Sequence, residues 1–343
     1  MPRRLLVAVP RRSARWLLGL SLAMGLGLAQ AQDAPLPAGE TPGLAGPPAQ
    51  SYQVQDLDWR DAARQRAVPV RLYWPAEPKP GAAVPLILFS HGIGGSRQGY
   101  SYLGAFWASQ GWASLHVQHV GSDRSLWWGN PLALVERLQG AAQEREAVNR
   151  ARDISFALDQ LLQGERGAAV DATRIVAAGH SYGANTSLLL SGARVARQGQ
   201  ALDLRDPRIK AAIIISAPPF YGEGDPAPIL RPIAIPTLHI TATEDVIRIP
   251  GYYSAASDRQ AVFEATGSPA KALAVFSGGS HSIFTDRAGT GGAELNPRVK
   301  AATRELTLAF LEQVLGGRGD AAALQHWSER YRGLLARWVQ PAP

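Results

Sequence analysis

The sequence predicts an α/β architecture, a mostly parallel central sheet with helices on both faces. Three observations point to it. Short apolar runs bounded by Gly and Pro alternate with longer amphipathic stretches from residue 51 onward. The runs are continuously apolar rather than alternating, as expected of strands buried on both sides. With 46% hydrophobic and 18% charged residues in 343, the chain carries enough apolar material for one large core.

The N-terminus stands apart from this pattern. Arg3, Arg4, Arg11, Arg12 and Arg15 precede an apolar run, Trp16 to Leu28, that ends in Ala29-Gln30-Ala31. This reads as a signal peptide cleaved after Ala31, which predicts a periplasmic or secreted protein. The run is shorter than the ~20 residues of a spanning helix, so no stable membrane span is expected after cleavage. Arg11-Arg12 leaves both the general and the twin-arginine export routes open. Residues 32–50 are rich in Pro, Gly and Ala and read as a flexible leader.

The remainder, 51–343, reads as one domain. Tyr52–Asp58 and Val68–Trp74 are expected as strands joined by a polar turn. Pro85–Ser90 is a buried strand, Tyr100–Gln110 a helix closed by Gly111, and Ala113–Val120 the next strand. Glu144–Leu162 is a long amphipathic helix with Ile154, Leu158 and Leu161 on its apolar side. Arg174–Ala178 is a strand and Tyr182–Gln198 a helix. Ala211–Ser216, Pro236–Thr241 and Ala272–Phe276 are further buried strands, and Pro297–Leu315 is a helix. A last helical piece, Ala321–Trp338, gathers Trp327, Tyr331, Leu335 and Trp338 on one side. Segment 121–143 breaks the alternation. It holds Trp127-Trp128 and Pro131, and is long enough to form a lid or pocket wall.

Charge and cysteine content narrow the function. The net charge is +7, but the first 31 residues hold five of the 35 basic residues and none of the 28 acidic ones. The rest of the chain has a surplus of only two, which removes the main argument for a nucleic-acid partner. With no cysteine, the chain has no disulfide, thiolate metal site or cysteine nucleophile.

Gly179-His180-Ser181-Tyr182-Gly183 is a G-x-S-x-G motif between an apolar strand and a helix opening. That setting is a nucleophile elbow: the turn is so tight that both flanking positions must lack bulk, and Ser181 is held at a helix N-terminus. His281, in the loop GGSHSIF after the last buried strand, is the candidate base. His91 belongs to another motif, the side chain of His180 should point away from Ser181, and His239 lies within a strand. His116 and His119, at odd spacing on one strand, face opposite sides and do not share a metal. The acid should follow Pro236–Thr241. Asp245 is the first choice, with Glu244, Asp225 and Asp123 as alternatives. His91-Gly92-Ile93-Gly94-Gly95 is a glycine-rich turn after a buried strand. It makes the backbone N–H groups of Ile93 and Tyr182 candidate oxyanion donors. Neither phosphate-loop nor dinucleotide-loop spacing occurs there. Trp127, Trp128, Phe220 and Tyr221 are candidate pocket-wall residues from segments 121–143 and 218–235.

The motifs SHGIGGSR, ARDISFALDQLL, GHSYGA, DPRIKAAIIISAP and GGSHSIF together resemble the dienelactone-hydrolase-like and platelet-activating-factor-acetylhydrolase-like branch of the α/β-hydrolases, over roughly residues 68–315. The resemblance implies the α/β-hydrolase fold and a serine esterase that needs no cofactor or metal. It implies a triad of Ser181, Asp245 and His281 with Ile93 and Tyr182 at the oxyanion, acting on a small-molecule or lipid-like ester. True dienelactone hydrolases carry cysteine where this chain has Ser181, and polyester hydrolases, a more distant similar group, typically carry a disulfide. Amide hydrolysis, transacylation and a binding protein on a hydrolase fold are the alternatives. Oligomeric state is not encoded in any motif found.

Overall fold

A computed structural model of the chain describes residues 51–77, 81–197, 200–287, 289–316 and 322–341, side chains at 197, 200 and 201 excepted. The signal segment 1–31 and the leader 32–50 lie outside the described residues.

The chain opens with an antiparallel pair, β1 (Tyr52–Asp61) and β2 (Arg66–Pro75), and then enters the sheet centre with β3 (Val84–Ser90). Next come α1 (Ser101–Ser109), β4 (Ala113–Val117), α2 (Leu134–Ala141) and α3 (Glu144–Gln163), then β5 (Val170–His180) and α4 (Tyr182–Leu190). A small hairpin, β6 (Arg194–Arg197) and β7 (Gln200–Asp203), precedes β8 (Ile209–Ile215), α5 (Ala227–Leu230) and β9 (Thr237–Glu244). The chain closes with the hairpin β10 (Ile247–Ile249) and β11 (Tyr252–Ser254), α6 (Ala256–Ala265), β12 (Lys271–Ser280), α7 (Gly292–Leu315), α8 (Ala323–Arg330) and β13 (Leu335–Val339).

Among the described residues nine strands form the main sheet in the order β1-β2-β4-β3-β5-β8-β9-β12-β13. Strands β4 through β12 are parallel in that order, while β1, β2 and β13 are antiparallel to their neighbours. Alternate side chains divide the core. Ile87, Phe89, Ile213 and Ile215 meet α1 and α7, while Leu86 and Leu88 meet α3 and Ala212 and Ile214 meet α4. The chain runs from β3 outward to β4 and returns to β5 on the other side of β3. This reversal opens a crevice at the carboxyl ends of β3 and β5, where open α/β sheets place their sites.

Three expectations change. The helix from Tyr182 ends at Leu190 because Gly192 takes a positive φ of 114°; the polar stretch beyond it turns back as β6–β7. The tail is α-helical only to Arg330, and Leu335–Val339 instead pairs with Leu273–Phe276 of β12, so a free sheet edge overrides the local helical pattern. Its aromatic cluster survives the change, with the Trp338 and Tyr331 rings 5.0 and 5.7 Å from that of Trp327. Strand β4 stops at Val117, which leaves His119 beyond it. Segment 121–143 is two short turns of 3-10 helix and α2.

Candidate active site

Strand β5 delivers Ser181 to the crevice. The residue caps α4 with φ 55° and ψ −124°, a conformation L-residues avoid unless their surroundings enforce it. The enforcement is steric: a Cβ on Gly179 would collide with the Gly183 carbonyl, and one on Gly183 with that of Ser90. The Ser181 N–H donates to Ile215 O at 2.8 Å, which ties the elbow to β8.

His281 begins the turn after β12. Its Nε2 lies 2.8 Å from Ser181 Oγ and its Nδ1 2.6 Å from Asp245 Oδ1. Asp245 is fully buried, and its Oδ2 accepts from Thr241 Oγ1 at 2.7 Å. Arg259 of α6, also buried, brings Nε to 3.4 Å from Asp245 Oδ1. Burial alone would raise the Asp245 pKa. The hydrogen bond and charge of His281, together with Arg259, outweigh it and hold the carboxyl well below its usual range. Glu244 is exposed at the end of β9. Asp225 is exposed and accepts from Ala227 N, and Asp123 caps the turn at Ser125. None of these three is bonded to His281. The difference between Asp245 and Glu244 comes from the turn past β9, where Asp245 N–H bonds Ala242 O and swings the side chain inward.

His180 serves the backbone of the site. Its Nε2 donates to His281 O at 2.9 Å, and its Nδ1 accepts from Tyr100 OH at 2.8 Å. Tyr100 in turn accepts from Gly92 N–H at 3.4 Å, so a buried chain joins the loop after β3 to the His281 backbone. Burial pushes the His180 pKa down to about 3, which keeps this linker neutral.

The loop His91–Gly95 packs directly on Ser181: a Cβ on Gly92 would stand 3.2 Å from the Ser181 Cβ. Gly94 N–H donates to Ser122 O at 2.8 Å and Gly95 N–H to Gly92 O at 3.0 Å. The N–H groups of Ile93 and Tyr182 have no acceptor among the described residues, and both residues line the cavity beside Ser181.

That cavity measures about 560 Å³. Ser181, Tyr182, His281, Ile93, Trp127, Phe220 and Tyr221 line it, and so do Ile247, Ile249 and Tyr252 of the β10–β11 hairpin. Trp127 also donates Nε1–H to Gly94 O at 2.8 Å, which braces the loop. Trp128, expected on the wall, is not there. It is 64% exposed, with the Arg124 guanidinium 5.8 Å from its ring. Sequence reasoning also missed Tyr252, Tyr100, Arg150 and Arg259. Arg150 had a readable signal, because it falls on the same stripe of α3 as Ile154, Leu158 and Leu161, where a charge is out of place.

Among the described residues no group of three His, Asp or Glu side chains is placed to hold a metal ion, and no helix is long and apolar enough to cross a membrane. Residues 36–133 match the family model of platelet-activating factor acetylhydrolase, isoform II, a stretch that includes the Ile93 loop and ends before Ser181. Ferulic acid esterase from Streptomyces cinnamoneus is a structural neighbour with a TM-score of 0.57 and 23% identity, over 82% of this chain and 95% of that one. No curated protein matches the sequence. The chain therefore has the α/β-hydrolase fold and is similar to the platelet-activating-factor-acetylhydrolase-like branch of it.

Proposed function

We propose that the chain is an exported serine hydrolase that cleaves carboxylic esters through an acyl-enzyme intermediate. The hydrogen-bonded Ser181–His281–Asp245 chain at the wall of a 560 Å³ cavity carries this reading. Ser181 Oγ attacks the ester carbonyl as His281 Nε2 takes its proton, while Asp245 fixes the ring tautomer and balances the imidazolium charge. The N–H groups of Ile93 and Tyr182 receive the developing oxyanion. His281 then gives its proton to the departing alcohol. In the second half it takes a proton from water as the water attacks the acyl carbon, and returns it to Ser181 Oγ as the acid leaves. The N-terminal segment supports export.

The aromatic and aliphatic wall favours an apolar ester of moderate bulk. The test is hydrolysis of a C2 to C12 p-nitrophenyl ester series by the protein and by Ser181→Ala. Activity lost in the variant supports the reading, and the chain-length optimum sizes the cavity. A folded protein inactive on every ester would refute it.

A further inference from the structure

Arg150 of α3 is fully buried, and no carboxylate among the described residues lies within ion-pair distance of it. Burial lowers its pKa only to about 10, so it stays charged at neutral pH. Its donors fan out in one plane. Nη2 bonds the His91 carbonyl and lies 3.1 Å from Ser90 Oγ, Nη1 lies 2.8 Å from Ser122 Oγ, and Nε lies 3.1 Å from Thr186 Oγ1. Its Cζ stands 4.5 Å from the centre of the Tyr182 ring.

These contacts fall into two groups. His91 opens the loop that presents the Ile93 N–H, and Ser122 accepts through its carbonyl from Gly94 N–H in that same loop. Thr186 and Tyr182 belong to the first turns of α4, which presents the Tyr182 N–H. The two N–H groups come from segments 89 residues apart, and no covalent element fixes their separation. A planar fork with five donors can hold both at once, which a point charge cannot.

We propose that Arg150 is a positioning residue that sets the spacing of the Ile93 and Tyr182 N–H groups around the reacting carbonyl oxygen. The inference rests on the acyl-transfer reading above. An oxyanion pair held by one guanidinium contributes in the transition state and little in the ground state, so its loss falls on kcat rather than KM.

The experiment compares p-nitrophenyl butyrate with the corresponding thionoester, whose sulfur is a poor acceptor and gains little from well-placed N–H donors. The protein, Arg150→Met and Arg150→Lys are assayed with both, and folding is checked by circular dichroism and Tm. The expected result is a loss of about 10²-fold in kcat on the oxygen ester in Arg150→Met with KM little changed. The loss on the thionoester should be much smaller, so the oxygen-to-sulfur rate ratio falls. In Arg150→Lys the ratio falls part of the way, because one ammonium cannot reach His91 O and Thr186 Oγ1 together. If Arg150→Met does not fold, Arg150→Lys decides the matter by the same ratio. An unchanged ratio in a folded variant, or equal losses on both esters, overturns the inference. Ester hydrolysis surviving in Ser181→Ala would instead overturn the acyl-transfer reading itself.

Discussion

Ser181, His281 and Asp245 are linked at 2.8 and 2.6 Å; Ser90, His119 and Asp153 are linked in the same order at 2.9 and 3.1 Å. The described residues thus contain two Ser–His–Asp chains of the same connectivity, and their surroundings separate them. Ser181 and His281 line the cavity, whereas Ser90, His119 and Asp153 are each exposed by 1% or less and are not part of its wall. Ser181 sits on a strained elbow with a free N–H beside it; Ser90 lies within β3, its neighbours paired on both sides. Asp245 meets one arginine at 3.4 Å and is held ionised. Asp153 accepts from Arg64 at 2.8 Å and from Arg66 at 2.9 Å, yet its burial outweighs both arginines and raises its pKa. A hydrogen-bonded triad is therefore not by itself a site. Access, a strained backbone and free donors distinguish the chain proposed above as reactive from the buried one, whose Ser90 Oγ lies 3.1 Å from Arg150 Nη2.

The sharpest break between the two is Ser181→Ala against Ser90→Ala. The first should lower kcat/KM by about 10⁴-fold or more. The second should cost less than about tenfold in activity and about 1–3 kcal/mol in stability, because it strands His119 Nε2 without a donor. Ester kinetics and urea unfolding read both. The acids extend the comparison. Asp245→Asn should reduce kcat about 10⁴-fold with modest loss of stability, while Asp153→Asn should cost about 3 kcal/mol by leaving a buried cationic cluster uncompensated.

Acid stability tests the buried side. Burial lowers the pKa of His91, His116, His119, His180 and His239, which unfolding returns towards 6.5. Below that value the unfolded chain binds more protons than the folded one, so this contribution is complete above pH 6.5 and fades as pH falls. The pH dependence of unfolding free energy should correspond to an uptake approaching about five protons between pH 6 and 4. A flat profile would mean that these rings are charged in the fold. The smallest effect contrasts two adjacent tryptophans. Trp127→Ala should cut kcat/KM about tenfold by loosening Gly94, and Trp128→Ala, on an exposed ring, should change it little.

How much of this was legible follows the range of the forces. The elbow is read from five adjacent residues because steric exclusion at Gly179 and Gly183 is local. Chain order pointed to His281 as the residue that would meet Ser181, and Asp245 is separated from Glu244 by the turn that follows β9. Strand β13 was misread because its pattern is decided by β12, some 60 residues earlier. Tyr100 and His180 meet across 80 residues, and neither has a sequence signature for the other. Trp128 was placed on the wall with the rest of segment 121–143, but the turn Arg124–Trp127 directs one ring to Gly94 and leaves the next in solvent.

The central claim is that one serine of the two is the nucleophile. Its most direct test is labelling of the native protein with a fluorophosphonate, followed by peptide mapping by mass spectrometry. A single adduct on Ser181, absent in Ser181→Ala and never on Ser90, is the predicted result. No adduct on the folded protein, or an adduct on another residue with Ser181 unmodified, would contradict it.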